Sequence, residues 1–207
     1  ARRGGGHFWA QISHAGRQTM KPVNPHPKAP SAVKLGLPGG QFGEPVALTG
    51  TEIAELVRRF AQAAAICAEG GFDGAQIHAA HGYLISQFLS PRANQRSDEY
   101  GGSLANRLRY PLEVFAAVRA AWPAHLPMSV RISAHDWVEG GITPDDAVEI
   151  AKAFKAAGAD KGDARVVMVN TMSVQHLEAG AGALRAASRG GGAELARGLG
   201  QGARLLP

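Results

Sequence analysis

The sequence predicts an α/β fold that forms part of a TIM (β/α)8 barrel. Between residues 7 and 160, short apolar segments alternate with amphipathic helical segments, and crossovers of this length join parallel strands. Polar side chains follow each predicted strand at its carboxyl end, where TIM barrels place their active sites. A doubly wound sheet obeys a similar rule, so this pattern alone leaves both architectures open. The first strand is not followed by G-x-G-x-x-G, which argues against a dinucleotide-binding sheet.

The first unit begins with a short strand at His7–Ser13, and a proline- and glycine-rich loop then extends over Thr19–Leu48. A helix is predicted to begin after Thr49, because Thr49 and Glu52 have the spacing of a capping box. Gly70–Gly71 ends this helix. Its apolar residues recur every three or four positions and form one face. They are Ile53, Leu56, Val57, Phe60, Ala64 and Cys67.

The second unit has its strand at Ala75–His78, which an irregular loop follows. A helix is predicted over Ser103–Trp122. Because proline lacks the N–H that an inner helical turn uses, we expect a kink at Pro111. The long loop between this strand and its helix would then lie at the polar end of the sheet.

The third unit has its strand at Met128–Ser133 and a helix that begins after Thr143. Thr143 is a favourable N-cap residue, and Pro144 suits the first helical position. The helix is predicted to extend to about Ala157 and to end at Gly158. Three strand–helix units are therefore expected.

Composition limits the cellular setting and the class of partner. No run of about 18 apolar residues occurs, so no membrane span is expected. The single cysteine, Cys67, excludes an internal disulfide and fits a cytoplasmic protein. The formal net charge is +5, but no basic stripe interleaved with aromatic residues is present, so no nucleic-acid partner is expected.

The chain changes character after Asp160. All aromatic residues precede this position, whereas residues 161–207 are rich in glycine, alanine and arginine. A segment of this composition buries little apolar surface and is expected to be poorly ordered. The prediction is therefore a barrel domain over 1–160 and a separate tail over 161–207.

Residues 77–107 read IHAAHGYLISQFLSPRANQRSDEYGGSLANR, and they resemble the central signature of old yellow enzyme-type NADH:flavin oxidoreductases. This group includes xenobiotic reductases and 2,4-dienoyl-CoA reductases. WAQISHAGRQ at 9–18 resembles the family's third strand, and MSVRISAHDWVEGG at 128–141 resembles its fifth. The resemblance implies a partial barrel covering about strands 3 to 5, with FMN as the cofactor and NAD(P)H as the reductant.

The resemblance also implies roles for five residues. Gln11 matches the glutamine that binds the pyrimidine edge of FMN, and an amide offers both a donor and an acceptor to that edge. Arg131 matches the arginine beside the flavin ring, where a permanent cation stabilises the negative charge of the reduced state. His78 and His81 match the pair that binds the oxygen of an electrophilic small-molecule substrate. Tyr83 matches the proton donor.

Other interpretations of these residues remain open. Either histidine could be structural, Gln11 could satisfy backbone groups, Tyr83 could pack at the rim, and Arg131 could pair with an acid. A metal site at His78 and His81 needs a third ligand that the motif does not supply, so no metal is expected.

A complete barrel needs eight strands and typically about 250 residues, so the chain is expected to be a fragment of the enzyme. Two open strand edges favour aggregation or a homo-oligomer. The expected function is reduction of FMN by NAD(P)H and transfer to an activated alkene or a similar electrophile. The alternative is a non-catalytic or degenerate fragment that does not retain FMN.

Overall fold

The computed structural model describes residues 4–159 in full and the backbone of residues 167–170. Its strands are β1 (Trp9–Ile12), β2 (Lys28–Ala29), β3 (Val46–Ala47), β4 (Gly74–Ala79), β5 (Met128–Ser133) and β6 (Val167–Asn170). Its α-helices are α1 (Gly50–Glu69), α2 (Leu84–Leu89), α3 (Leu104–Ala121) and α4 (Pro144–Phe154). A 3-10 turn lies at Gly16–Gln18, and a π-helical turn at Lys155–Ala159 follows α4.

Four strands form one parallel sheet in the order β1–β4–β5–β6. Spatial order follows chain order, and no reversal occurs among these strands. A barrel requires this arrangement, whereas a doubly wound sheet reverses its strand order at a switch point. The architecture is therefore the predicted partial TIM barrel, and the three predicted main strands are confirmed.

The helices pack on one face of this sheet and close an apolar core with it. Alternate residues of β4 and β5 face these helices, among them Ile77 and Val130, which have no exposed surface. Val114 and Phe115 of α3 belong to the same buried cluster. Because side chains alternate across a strand, the residues between these apolar ones face the opposite side, which would be the barrel interior.

Local sequence signals fix the helix ends. The predicted capping box is present, because the Thr49 hydroxyl accepts from Glu52 N and the Glu52 carboxylate accepts from Thr49 N. Thr143 caps α4 in the same way. Helix α3 continues on both sides of Pro111. Among the residues that the structure describes, no helix is both long and apolar enough to cross a membrane.

Two predicted loops contain regular elements that the sequence did not predict. The loop predicted after β4 contains α2, a helix of six residues that are all buried. The loop predicted over Thr19–Leu48 contains β2 and β3, which pair in parallel over two residues each. None of these three elements changes the order of the main sheet.

Candidate active site at the inner face of the sheet

Three polar side chains form a row across the inner face of the sheet. Gln11 on β1 lies opposite Gln76 on β4, which lies opposite Ser129 on β5. Gln11 Nε2 donates to Gln76 Oε1 at 2.5 Å, and Gln76 Nε2 donates to Ser129 Oγ at 3.2 Å. Gln11 is exposed, so its amide is accessible on the inner side.

A second row lies one step closer to the carboxyl ends of the strands. His78 on β4 is in register with Arg131 on β5. The His78 side chain is buried, whereas Arg131 is half-buried. A cation and an imidazole therefore lie side by side, next to the row that contains Gln11.

The loop after β4 brings His81 and Tyr83 to the same place. His81 Nδ1 lies 3.2 Å from His78 Nε2, and the two rings meet edge to face with centroids 4.8 Å apart. The Tyr83 ring meets the His78 ring at a centroid distance of 5.1 Å. The structure thus brings together all five residues that the sequence predicted.

Both histidines are held in the neutral form. Burial, followed by electrostatic interactions with His81 and Arg131, lowers the pKa of His78 to about 4. Burial and the Arg131 guanidinium also lower the pKa of His81. At neutral pH each ring therefore carries one N–H and one unprotonated nitrogen.

The contact between the rings occupies one N–H as a donor. If His78 Nε2 donates to His81 Nδ1, the second proton of the pair is on His81 Nε2 and can be donated to a ligand. If His81 Nδ1 donates instead, the second proton is on His78 Nδ1, a buried nitrogen with no hydrogen-bond partner among the described residues. The pair can therefore stabilise negative charge on a bound oxygen by donating hydrogen bonds, without itself carrying charge.

Sequence reasoning did not find several neighbours of these residues. Gln76 and Ser129 extend the row that begins at Gln11, Ser133 Oγ accepts from His81 N, and Gln18 Nε2 donates to His81 O. The alternation of β4 and β5 could have indicated Gln76 and Ser129, because both share the face of residues already singled out. No local signal indicated Gln18.

The donor set fits a heterocyclic ring that offers both hydrogen-bond donors and acceptors better than it fits a metal ion. A carboxamide and a guanidinium share the inner face, and they suit a heterocycle with alternating donors and acceptors. Within the part of the chain that the structure describes, no three His, Cys, Asp or Glu side chains cluster in a way that could hold a metal ion. Gln11 and Arg131 therefore fit the ring of a flavin.

A family model agrees with this class of site. The model of the NADH:flavin oxidoreductase / NADH oxidase family matches residues 2–192. The chain belongs to this family. The match also extends past Asp160, into the segment predicted to be a separate tail, and the predicted boundary at 160 stays a prediction.

Curated relatives are similar over most of the chain. It is 44% identical to an "NADH oxidase" of Thermoanaerobacter brockii over 156 residues, which are 74% of this chain and 24% of the relative. It is 44% identical to an "NADPH dehydrogenase" of Clostridium acetobutylicum over 70% of this chain and 42% of the relative. The chain thus spans less than half the length of either relative.

Solved structures are also similar over most of the chain. A 2-naphthoyl-CoA reductase superimposes with a TM-score of 0.72 at 29% identity, covering 83% of this chain and 27% of that one. An old yellow enzyme homologue from Zymomonas mobilis superimposes with a TM-score of 0.68 at 33% identity, covering 75% and 46%. Morphinone reductase gives a TM-score of 0.65 at 32% identity, covering 76% and 46%. These neighbours confirm the resemblance and the partial barrel.

Proposed function

We propose that this protein is an FMN-dependent oxidoreductase in which NAD(P)H reduces the flavin and an activated alkene or a similar electrophile accepts the hydride. The observation that carries the proposal is the neutral His78–His81 pair beside Arg131, on the face that also presents Gln11. A neutral donor pair suits a substrate oxygen on which charge develops only during the reaction. The relatives' names include both NADH and NADPH, so either reductant is proposed.

Gln11 and Arg131 would bind the ring of FMN. The Gln11 amide offers a donor and an acceptor, and it is already oriented by its hydrogen bond from Nε2 to Gln76. The Arg131 guanidinium would stabilise negative charge on the reduced ring. When bound, FMN would take up a hydride from NAD(P)H and deliver it to the substrate.

His78 and His81 would bind the carbonyl or nitro oxygen of the substrate. Each ring can donate one hydrogen bond, so both can donate to the oxygen only when their mutual contact of 3.2 Å opens. Withdrawal of electron density through the oxygen makes the β-carbon electrophilic. Hydride addition there leaves negative charge on the oxygen, where the two donors stabilise it.

Tyr83 would complete the reduction by protonating the α-carbon. Its ring packs edge to face on His78, which places the phenol at the same end of the sheet as the donor pair. A phenol carries an O–H that can be donated, so it can act as a general acid. The C=C bond thereby gains one hydride and one proton.

The partner class follows from this chemistry. The proposed partner is a small electrophilic molecule, and the proposed location is the cytoplasm, where a half-buried free thiol such as Cys67 stays reduced. Reductases are among the structural neighbours, one of them named for morphinone.

The alternative is that residues 1–207 alone do not retain FMN. Four strands are described in the sheet, whereas a TIM barrel has eight, and the phosphate site of such barrels usually lies after strands 7 and 8. Trp9 on the inner face is 37% exposed and Gln11 is also exposed. Among the described residues, no strand of the main sheet pairs with the outer edge of β1.

Absorbance spectroscopy tests the proposal on the full-length protein. The purified protein should be yellow, should bleach on addition of NADH or NADPH under nitrogen, and should regain its colour when 2-cyclohexenone is added. A Gln11→Leu variant should bind FMN more weakly, whereas Gln62→Leu on the exposed side of α1 should bind it normally. A colourless wild-type protein that takes up no FMN would refute the proposal. The same titration on residues 1–207 tests the alternative.

A further inference from the structure

We propose that Gln18, Gln87 and Ser133 are positioning residues that hold His81 in its substrate-binding conformation. They lie on three different elements, and each forms a hydrogen bond with the backbone of His81 or Gly82. None of them reaches the substrate in this proposal. The inference rests on the role proposed for His81, and its test is chosen to separate the two.

His81 has an unfavourable backbone conformation. Its φ is 61°, in the left-handed region that residues with a side chain seldom occupy. Gly82 follows with a φ of 73°. A residue held in this region is strained and persists only when surrounding contacts over-determine its conformation. The conformation of His81 therefore needs an identifiable source of support.

Two side chains hold the peptide groups of His81 itself. The Ser133 hydroxyl at the end of β5 accepts a hydrogen bond from His81 N at 3.1 Å. Gln18 Nε2, in the turn after β1, donates to His81 O at 2.8 Å. Strand β5 and the turn after β1, which lie on opposite sides of β4, thus each supply one contact, and together they fix the direction in which the His81 side chain leaves the backbone.

Gln87 holds the next residue and links it to the turn that carries Gln18. This side chain is fully buried, and its Nε2 donates to Gly82 O at 2.7 Å and to Ala15 O at 3.3 Å. Its Oε1 accepts from Arg17 N at 3.2 Å. Gln87 therefore connects the loop after β4 to the loop after β1.

The close approach of these loops depends on a glycine. A Cβ at Gly16 would lie 2.4 Å from Gln87 Oε1, and the φ of Gly16 is 57°. A side chain at this position would displace the buried Gln87 amide, and the backbone conformation disfavours one. The packing of Gly16 on Gln87 indicates that the contact between the loops is tight.

The contacts to the His81 backbone have a consequence for substrate binding. With its backbone fixed, the His81 ring stays beside His78, with Nδ1 3.2 Å from Nε2, so that a small rotation that opens this contact lets both rings donate to one substrate oxygen. If the backbone relaxes to a common conformation, the ring leaves His78 and the substrate oxygen loses one of two donors. A displacement of about 1 Å from the productive geometry can lower a rate by roughly a hundredfold.

The kinetic test compares two acceptors for the reduced holoenzyme. Flavin is photoreduced, and its reoxidation is followed with 2-cyclohexenone and, separately, with molecular oxygen. Ser133→Ala and Gln18→Glu should slow reoxidation by 2-cyclohexenone by roughly ten- to a hundredfold. Reoxidation by oxygen needs no donor pair and should be unchanged. Ser133→Thr keeps the hydroxyl and should restore most of the loss.

Ser103→Ala is the matched control. Ser103 Oγ caps α3 by accepting a hydrogen bond from Asn106 N, and among the described residues its side chain makes no hydrogen bond to the loop after β4. Removal of the Ser103 hydroxyl should lower the melting temperature without changing the ratio of the two reoxidation rates. A change in that ratio in this control would mean that stability alone controls the site, which would overturn the proposal.

Two measurements without catalysis complete the test. The His81 amide should exchange with solvent much faster in Ser133→Ala, because its acceptor is gone, and the ring ¹⁵N shifts of His78 and His81 should change in Gln18→Glu. Unchanged exchange, unchanged ring shifts and wild-type reoxidation by 2-cyclohexenone would overturn the positioning role. If the wild-type protein is not reoxidised by 2-cyclohexenone, the proposed function fails, and the exchange and shift data still decide whether these residues position His81.

Discussion

The two faces of the same sheet differ in almost every physical respect. On the side of the helices, Ile77, Val130 and Ile132 are at most 1% exposed and contact other apolar side chains. On the inner side, His78 and Arg131 alternate with them along the same strands, and His78 Nε2 lies 3.2 Å from His81 Nδ1. Consecutive residues thus serve opposite environments, which a strand permits because its side chains alternate.

The difference separates stability from chemistry. Apolar burial on the helix side supplies the free energy of folding at about 25 cal/mol per Å² of buried surface. The inner side instead contains two features that are unfavourable for stability. One is a buried imidazole with a lowered pKa, and the other is a residue with positive φ. Substitutions on the two faces should therefore change different measured quantities.

The largest effect on stability is expected from the helix side. Phe115 has no exposed surface, and its ring lies 5.7 Å from that of Phe154. Phe115→Ala removes this packing and leaves a cavity, so the free energy of unfolding should fall by about 3–5 kcal/mol. Urea unfolding of the holoprotein measures the change. A loss below about 1 kcal/mol would show that the core does not depend on this contact.

A comparable effect on catalysis is expected from the inner side. His78→Ala removes one hydrogen-bond donor of the pair, so the rate of reoxidation by 2-cyclohexenone should fall by about 10²–10³-fold. Stability should be unchanged or higher, because a buried polar ring with an unpaired Nδ1 is removed. Stopped-flow kinetics and urea unfolding on one preparation measure both quantities. A stability loss without a kinetic change would reverse the assignment of the two faces.

The inner side should also make stability depend on pH. The pKa of His78 is lowered from 6.5 to about 4, so the ring is neutral in both folded and unfolded states above pH 6.5. As pH falls from 6.5 toward about 4, the unfolded chain binds a proton that the folded protein does not. Stability should therefore decrease in this window, with a slope of at most about 1.4 kcal/mol per pH unit from this residue.

Urea unfolding at several pH values measures that slope. His78→Gln should reduce it, whereas Gln62→Ala on the exposed side of α1 should leave it unchanged. The pKa of His81 is also lowered by burial, so part of the slope should remain in His78→Gln. Equal slopes in wild type and His78→Gln would contradict the neutral, buried state of His78.

The smallest effect is expected at a helix end remote from the histidines. Thr49→Ala removes the hydroxyl that caps α1 and should lower the free energy of unfolding by about 1 kcal/mol. Thr49→Ser keeps the cap and should be close to wild type. Reoxidation kinetics should be the same in both variants, and a kinetic loss in Thr49→Ala alone would mean that α1 transmits strain to the site.

Local patterns predicted the regular elements well. The strand predicted at Met128–Ser133 has the same bounds in the structure, and the capping box at Thr49 and Glu52 is formed. Helix α2 was missed because all six of its residues are buried, so it has no polar face and no amphipathic period. Strands β2 and β3 are too short, at two residues each, to show any alternation.

The five candidate site residues were named from the sequence, but the residues that contact the His81 backbone were not. Gln11, His78, His81, Tyr83 and Arg131 were found through the family resemblance, and the structure brings them together. Their chemical roles stay predictions. The positive φ of His81 and its contacts depend on side chains that are 52 and 63 residues away, which no local pattern reveals.

The pairing of β1 with β4 has a consequence for how the site is formed during folding. These strands are neighbours in the sheet although 65 positions separate Gln11 from Gln76, and α1 lies between them in the chain. Closing a loop of this length carries an entropic penalty that is repaid only after both strands and the helix are in place. A chain that has folded only its second strand–helix unit would contain both histidines but could not orient them. The histidine pair would therefore become competent late in folding, when partners on either side of β4 have docked.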